Sequence, residues 1–281
     1  MPDYLGKIES ASMGWLVLAI LVGLVVVAAV LWLGRWAYER RADRLAGRIG
    51  GDVAGQRPER LPRVVRDFAR RNGADPEARV SHVEFGQSVK MRLRRGAPWV
   101  TLWGWQWSGV RQPGFLWKAG RELWKDVAHI RVLDGFLNGR GFLEVYLLGA
   151  LPMVRASGAD ISKGEAMRYL AELVWVPDAI LENGAIRWTV VGERHVAASM
   201  GDARVVFEFD AGGDIIGVQA KDRPVRAPKG EPQTREWIGT FERYSWVGGR
   251  RMPTKAEVGY VYPDGYEAYW RGEITAYHLR H

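Results

Sequence analysis

The stretch Gly14 to Leu33 constrains this chain more than any other, with twenty residues, rich in Leu, Val and Ala, and no charge among them. A helix rises about 1.5 Å per residue, so the run reaches roughly 30 Å, the thickness of a bilayer's hydrocarbon core. Trp15 stands at one end, and Trp32, Trp36 and Tyr38 stand at the other, where amphipathic rings favour the headgroup level. A core helix of a soluble domain rarely stays uncharged on all faces for so long. Residues 13–35 therefore read as a transmembrane helix, preceded by a tail over residues 1–12.

A cleaved signal peptide needs a basic start and a small-residue cleavage site. Here Lys7 is outweighed by Asp3 and Glu9, and Leu33 is followed by Gly-Arg-Trp-Ala-Tyr-Glu-Arg-Arg, so the helix is expected to be retained. Arg35, Arg40, Arg41, Arg44 and Arg48 crowd its C-terminal side. By the positive-inside rule this predicts a single-pass protein of the plasma (inner) membrane with its domain in the cytoplasm. An extracytoplasmic domain is the alternative. The chain has no cysteine, which excludes disulfides.

The formal charge of +8 is uneven, because Arg35 to Arg79 holds twelve arginines and no lysine against seven acidic residues. A basic juxtamembrane helix and Gly-rich linker over residues 36–60, with Gly47, Gly50, Gly51 and Gly55 between Arg44 and Arg57, fits a segment beside anionic headgroups. Membrane lipid is thus one expected partner. Nucleic acid is not, since no recognition-helix, zinc-finger or RNA-binding aromatic pattern accompanies the charge.

Pro62 opens a short helix through Val65 and Phe68 that stops at Asn72-Gly73. From Arg79 the periodicity becomes two, with strand-like runs at 80–93, 99–107, 115–123 and 127–137 and a hairpin turn at Asn138-Gly139 into 142–148. Further runs lie at 186–191, 195–200, 205–209, 215–220, 237–247, 254–262 and 266–277, separated by Gly-rich turns. Between the two sets lies a helical insertion, 162–183, opened by the capping-box spacing Ser162 to Glu165 and interrupted at Pro177. The class is mainly β with helices (α+β), a large antiparallel meander of about eleven strands over residues 61–281 with a helix on its concave face or across one end.

Leu61-Pro62, Phe115-Leu-Trp117, Asp134 ahead of Gly139 and Gly141, Arg168-Tyr169-Leu170-Ala171-Glu172 with Trp175 and Pro177, and Gly249 with Pro253 together resemble a bacterial, membrane-anchored domain family of unknown function. The resemblance covers Leu61 to Tyr277 and implies no reaction. The architecture is also similar to the lipoprotein-carrier (LolA-like) half-barrel, in which a curved antiparallel sheet encloses an apolar cavity under helices.

Trp99, Trp103, Trp105 and Trp107 share one parity and so one face of a strand, either a filled core or the wall of an apolar ligand site. Glu165, Arg168 and Glu172 share a helix face, either as a solvated ion-pair stripe or as a charged cluster at a cavity mouth. The candidate ligand-binding residues are Trp103, Trp105, Trp107, Trp117, Asp134, Arg168, Tyr169, Glu172 and Trp175. His82, His129, His195, His278 and His281 lack metal-ligand spacing, and the Gly-rich spots lack a phosphate loop's context, so no metal or cofactor is expected. The leading reading is a non-enzymatic, membrane-tethered module that binds a lipid, lipid-linked or other apolar ligand. The alternatives are a hydrolase or transferase using Asp134 and Glu172, and a scaffold for a membrane-protein partner.

Overall fold

The computed structural model describes residues 2–51, 58, 60–124, 128–226 and 232–281, so Gly55 and Arg57 of the expected linker and Val127 of an expected strand lie outside the described residues. The apolar run belongs to one continuous helix, α1 (Pro2–Ala46). Its segment Gly14–Ala46 is long and apolar enough to cross a membrane, with a mean hydropathy of 3.1 in a window none of which is buried. Further along, α1 changes character, and Tyr38, Ala42 and Leu45 are buried.

Six strands, β1 (His82–Met91), β2 (Val100–Gly109), β3 (Gly114–Trp124), β4 (Ala128–Leu137), β5 (Arg140–Leu147) and β6 (Leu151–Ser157), form one up-and-down meander. A second comprises β7 (Arg187–Gly192), β8 (His195–Met200), β9 (Ala203–Phe209), β10 (Ile215–Arg226), β11 (Pro232–Val247), β12 (Arg250–Tyr262) and β13 (Gly265–Arg280). The two are joined at their inner strands, where β1 pairs antiparallel with β13 from His82–Arg280 to Met91–Trp270. The result is one open antiparallel sheet of thirteen strands rather than about eleven. The strand that sequence periodicity misses is β6, whose Leu-Pro-Met-Val-Arg start does not alternate and carries a proline. Proline is tolerated there because β6 is an edge.

Asn138 and Gly139 both take positive φ, giving the expected two-residue hairpin between β4 and β5. Helix α2 (Arg63–Arg71) starts after Pro62 as expected and buries Val65, Phe68 and Ala69. The two sheet edges, β6 and β7, are consecutive in the chain, and the segment between them crosses the concave face as α3 (Ala159–Ala171), a 3-10 turn (Glu172–Trp175) and α4 (Pro177–Glu182). This insertion begins three residues before Ser162. Gly158, at φ 124°, is the N-cap, and the Ser162 hydroxyl donates to the Gly158 carbonyl (2.8 Å) and accepts from the Gly141 amide (3.0 Å). Ser162 thus ties α3 to β5 instead of capping the helix.

Two apolar clusters sit on opposite faces of the sheet. The larger fills the concave side, with Met167, Leu170, Leu173, Val174 and Ile180 of the helices packed on Val83, Phe85, Phe115, Phe207 and Tyr277. The smaller lies outside, where Tyr38, Ala42 and Leu45 of α1 cover Leu116, Leu133 and Tyr146. Gly34 faces Ala150 in the β5–β6 turn so closely that a Cβ would come within 2.7 Å of the Ala150 Cβ. Tyr38 meets Tyr146 edge-on at 5.1 Å, and Arg41 is paired with Glu144. Helix α1 therefore runs antiparallel to β5. Its apolar length leaves from the end of β1–β5 that carries Met91, Val100, Trp124 and Leu147, the α1 end of the sheet.

Candidate functional site: an aromatic cavity with a charged wall

The helices do not fill the whole concave face. A cavity of about 190 Å³ remains, lined by Trp117, Trp175, Trp237, Trp270, Phe241, Met91, Val218, Val258 and Tyr269, and by Asp134, Glu165, Arg168, Glu172 and Arg223. Register gives its position. The helical segment is tied to the sheet by Tyr277, whose hydroxyl donates to the Trp175 carbonyl (2.7 Å), and by the Trp175 indole, which donates to the Pro253 carbonyl (2.9 Å). The cavity residues Tyr269 and Trp270 on β13 and Val258 on β12 lie beyond those ties toward the α1 end. Met91 lies beyond Phe85 in the same sense on β1. The helices plug one half of the concave face, and the free space lies in the half nearer the α1 end.

The charged wall centres on Arg168. Its one-face spacing with Glu165 and Glu172 directs all three side chains from α3 toward the sheet. The Arg168 guanidinium donates from Nε to Glu172 Oε1 (2.8 Å), from Nη1 to Asp134 Oδ2 (2.6 Å) and from Nη2 to Gln106 Oε1 (3.1 Å). Gln106 in turn donates from Nε2 to Glu172 Oε2 and to Ser108 Oγ. The guanidinium also lies over Phe115 at 4.6 Å and over Trp117 at 5.2 Å, so its flat faces are covered by rings while its edge is bonded. Arg223 repeats the device from β10, donating to the Gly164 carbonyl (2.6 Å) above the Trp237 ring (4.6 Å).

Three carboxyl groups thus face two guanidinium groups. Burial pushes the Glu165 carboxyl up to about 8, helped by the neighbouring Asp134 charge. Asp134 is also raised, because burial outweighs the attraction of Arg168 and Arg223. Asp134 Oδ1 and Glu165 Oε2 are buried and accept no hydrogen bond among the described residues. The Asp134 oxygen calls for a hydrogen-bond donor, whereas the protonated Glu165 carboxyl can donate or accept.

Of the expected site residues, Trp117, Asp134, Arg168, Glu172 and Trp175 meet at this cavity. Tyr169 does not. Its hydroxyl donates to the Gly109 carbonyl (3.0 Å) and accepts from Asn183 (3.0 Å), holding α3 to the sheet. Trp103, Trp105 and Trp107 lie on the outer face, beside Ser88, Gly86 and Glu84 of β1, so the tryptophan row is no wall of this cavity. Trp103 and Trp105 lie over Gly120 and Gly86, where an added Cβ would come within 2.6 and 3.1 Å of the rings. Trp103 stacks under Arg131 and Trp105 against His278, while Trp107 joins the α1 cluster. Glu165, expected only as part of the charged helix face, joins them, and Gln106, Arg223, Trp237 and Trp270 complete the site without having stood out in sequence. Among the described residues no group of three or more His, Asp or Glu side chains is placed to hold a metal.

An open antiparallel half-barrel, plugged from one end by helices and keeping an amphipathic cavity at the other, defines the class. The chain belongs to a family of unknown function (DUF6544), whose sequence profile matches residues 52–272. No curated protein matches it. Among solved structures it is similar to a LolA superfamily protein from Nitrosomonas europaea, at 10% identity and a TM-score of 0.41 over 77% of this chain and 92% of that one. A DUF1329 family protein from Desulfovibrio piger is similar at 14% identity and a TM-score of 0.44, over 76% and 91%. A putative outer membrane lipoprotein-sorting protein domain from Vibrio parahaemolyticus is similar at 13% identity and a TM-score of 0.43, over 76% and 92%.

Proposed function

We propose that this chain is a membrane-anchored module that binds a lipid, lipid-linked or other apolar molecule in the concave cavity. The observation that carries the reading is the cavity's position, walled by four indoles and lying toward the end of the sheet from which α1 departs. A ligand drawn from the bilayer would meet indoles together with Arg223 near the α1 end, and Arg168, Asp134 and Glu172 deeper in. Its volume of about 190 Å³ is below the roughly 300–1,000 Å³ of typical ligand pockets, so this conformation takes one chain or ring rather than a whole two-chain lipid. The unpartnered Asp134 oxygen and the protonated Glu165 carboxyl favour a polar ligand end that can both donate and accept hydrogen bonds.

The catalytic alternative through Asp134 and Glu172 has less support. Both carboxylates are engaged by the same guanidinium, and Glu172 also serves Gln106, which suits orientation better than proton transfer. Retention of the helix agrees with α1, which continues without a break from the apolar run into the buried residues Tyr38, Ala42 and Leu45. The arginines after Leu33 favour the cytoplasmic side of the inner membrane over the extracytoplasmic alternative, and a compartment reporter fused after His281 checks this, periplasmic activity overturning it.

Native mass spectrometry of the detergent-extracted full chain tests binding. The expected result is a co-purified lipid mass that weakens in Trp270→Ala and Trp237→Ala and persists in Trp105→Ala. Absence of retained lipid, with Trp270→Ala unchanged in direct lipid-binding assays, would overturn the reading.

A further inference from the structure

Strand β6 presents an anomaly that the cavity does not use. Leu151, Pro152, Met153, Val154 and Arg155 are all exposed, so neither face of the strand is covered there. Leu151 is 42% exposed, Met153 62% and Val154 39%, on an edge whose outer backbone groups have no neighbouring strand. An apolar edge is an invitation to unwanted pairing that native proteins cover or break with charge.

Its place in the fold indicates the cover. Ala150, immediately before β6, packs on Gly34, the residue after the apolar run of α1. Pro152 is in register with Tyr146, which packs on Tyr38. Gly34 to Tyr38 is about 6 Å along a helix, and the headgroup layer on each side of the hydrocarbon core is about 5–8 Å deep. Leu151 to Met153 therefore fall at headgroup level if Leu33 ends the span. Arg155, in register with Glu144 one step farther out, lies level with Arg41 beyond the headgroups, its charge beside Glu144 and Tyr146.

We propose that β6 rests on the lipid bilayer, with Leu151 and Met153 at headgroup level and Val154 at its outer edge. This rests on the anchored reading above and adds a second contact, which fixes how the half-barrel is turned relative to the membrane.

The cysteine-free sequence permits a clean test. Met153→Cys, Val25→Cys and Val191→Cys, each labelled with the same fluorophore, are reconstituted as the full chain in vesicles of phosphatidylcholine with minority phosphatidylglycerol and nitroxide-labelled lipid. Val191 is an exposed apolar control (44%) on the opposite edge strand. The expected result is quenching at position 153 several-fold above that at 191, with position 25 quenched most. Quenching at 153 equal to that at 191, with 25 still quenched, overturns the bilayer contact and leaves the anchor standing. If 25 is not quenched, the anchor itself falls.

Discussion

Arg168 on α3 and Asp134 on β4 are joined by a 2.6 Å hydrogen bond from Nη1 to Oδ2, which fixes the insertion's helix to the middle of the first meander. Both side chains are largely buried, and Glu172 shares the same guanidinium. Removing the cation leaves carboxylates without their partner in a poorly solvated place. Arg168→Ala is therefore expected to lower stability by about 3 kcal/mol, read from a denaturant midpoint at unchanged slope. Arg168→Lys recovers only part of it, since an ammonium cannot serve Asp134, Glu172 and Gln106 in one plane. A loss below about 1 kcal/mol for the alanine variant would show that the cluster behaves as a surface pair.

Glu165 supplies a pH signature. Its carboxyl holds its proton up to about 8 in the folded chain, whereas an unfolded carboxyl releases it near 4.3. Between those values the folded state binds more protons, so stability falls as pH rises and levels off above about 8. Below the ordinary carboxyl range this penalty is absent. Glu165→Gln mimics the neutral form, so thermal scans from pH 5 to 9 are expected to show it matching the parent at the acid end and gaining relative to it at the alkaline end. A constant offset across the range would refute the assignment.

Asp178 on α4 is fully buried and accepts from both Arg250 Nε and Nη2 at 2.8 Å, a bidentate pair that fastens the insertion to the start of β12. Asp178→Asn is expected to cost about 3 kcal/mol, because it leaves a guanidinium poorly matched in a dry site. Lipid retention should survive at temperatures where the variant stays folded. Loss of binding in the folded variant would tie this pair to the cavity instead.

Gly104 permits the cavity's best-held indole. A Cβ there would stand 2.6 Å from Trp117 Nε1 and 3.2 Å from Gln87 Oε1, the two atoms of a 2.8 Å hydrogen bond. Gly104→Ala should displace the Trp117 ring, cost about 1–3 kcal/mol by overpacking, and weaken lipid retention. Gly139→Ala, which meets no atom within 4 Å, is the control for a substitution in open space, with a cost limited to its positive φ. Equal effects on binding from the two variants would remove Trp117 from the ligand wall.

Sequence showed some of this and concealed the rest for identifiable reasons. The apolar run, the hairpin at Asn138-Gly139 and the one-face spacing of Glu165, Arg168 and Glu172 are local patterns, and each survives in the fold. Asp134 and Trp117 stood out only through the family resemblance, and the pairing of β3 with β4 sets them side by side. The tryptophan row misled because parity groups Trp103, Trp105 and Trp107 on one face without saying which face is concave. The usual clue, a polar opposite face, was absent, since α1 covers part of the outer side and both faces carry apolar residues. The true inner face of β2 shows Leu102, Gly104, Gln106 and Ser108, modest residues, and Gly104 and Gln106 take their roles from Trp117 and Glu172, 13 and 66 positions away. Arg223, Trp237 and Trp270 come from the second meander and reach the site only through the β1–β13 junction.

That junction has a consequence for how the molecule is made. In a simple meander the strand translated last adds to an edge, and its delay leaves the remainder nearly finished. Here β13 belongs between β1 and β12, in the interior of the strand order. Until it emerges from the ribosome, the two halves have no strand to bridge them, and β1 waits with one side unpaired while eleven other strands are synthesised. A nascent chain of this kind needs shelter for its interior before it needs any for its rim.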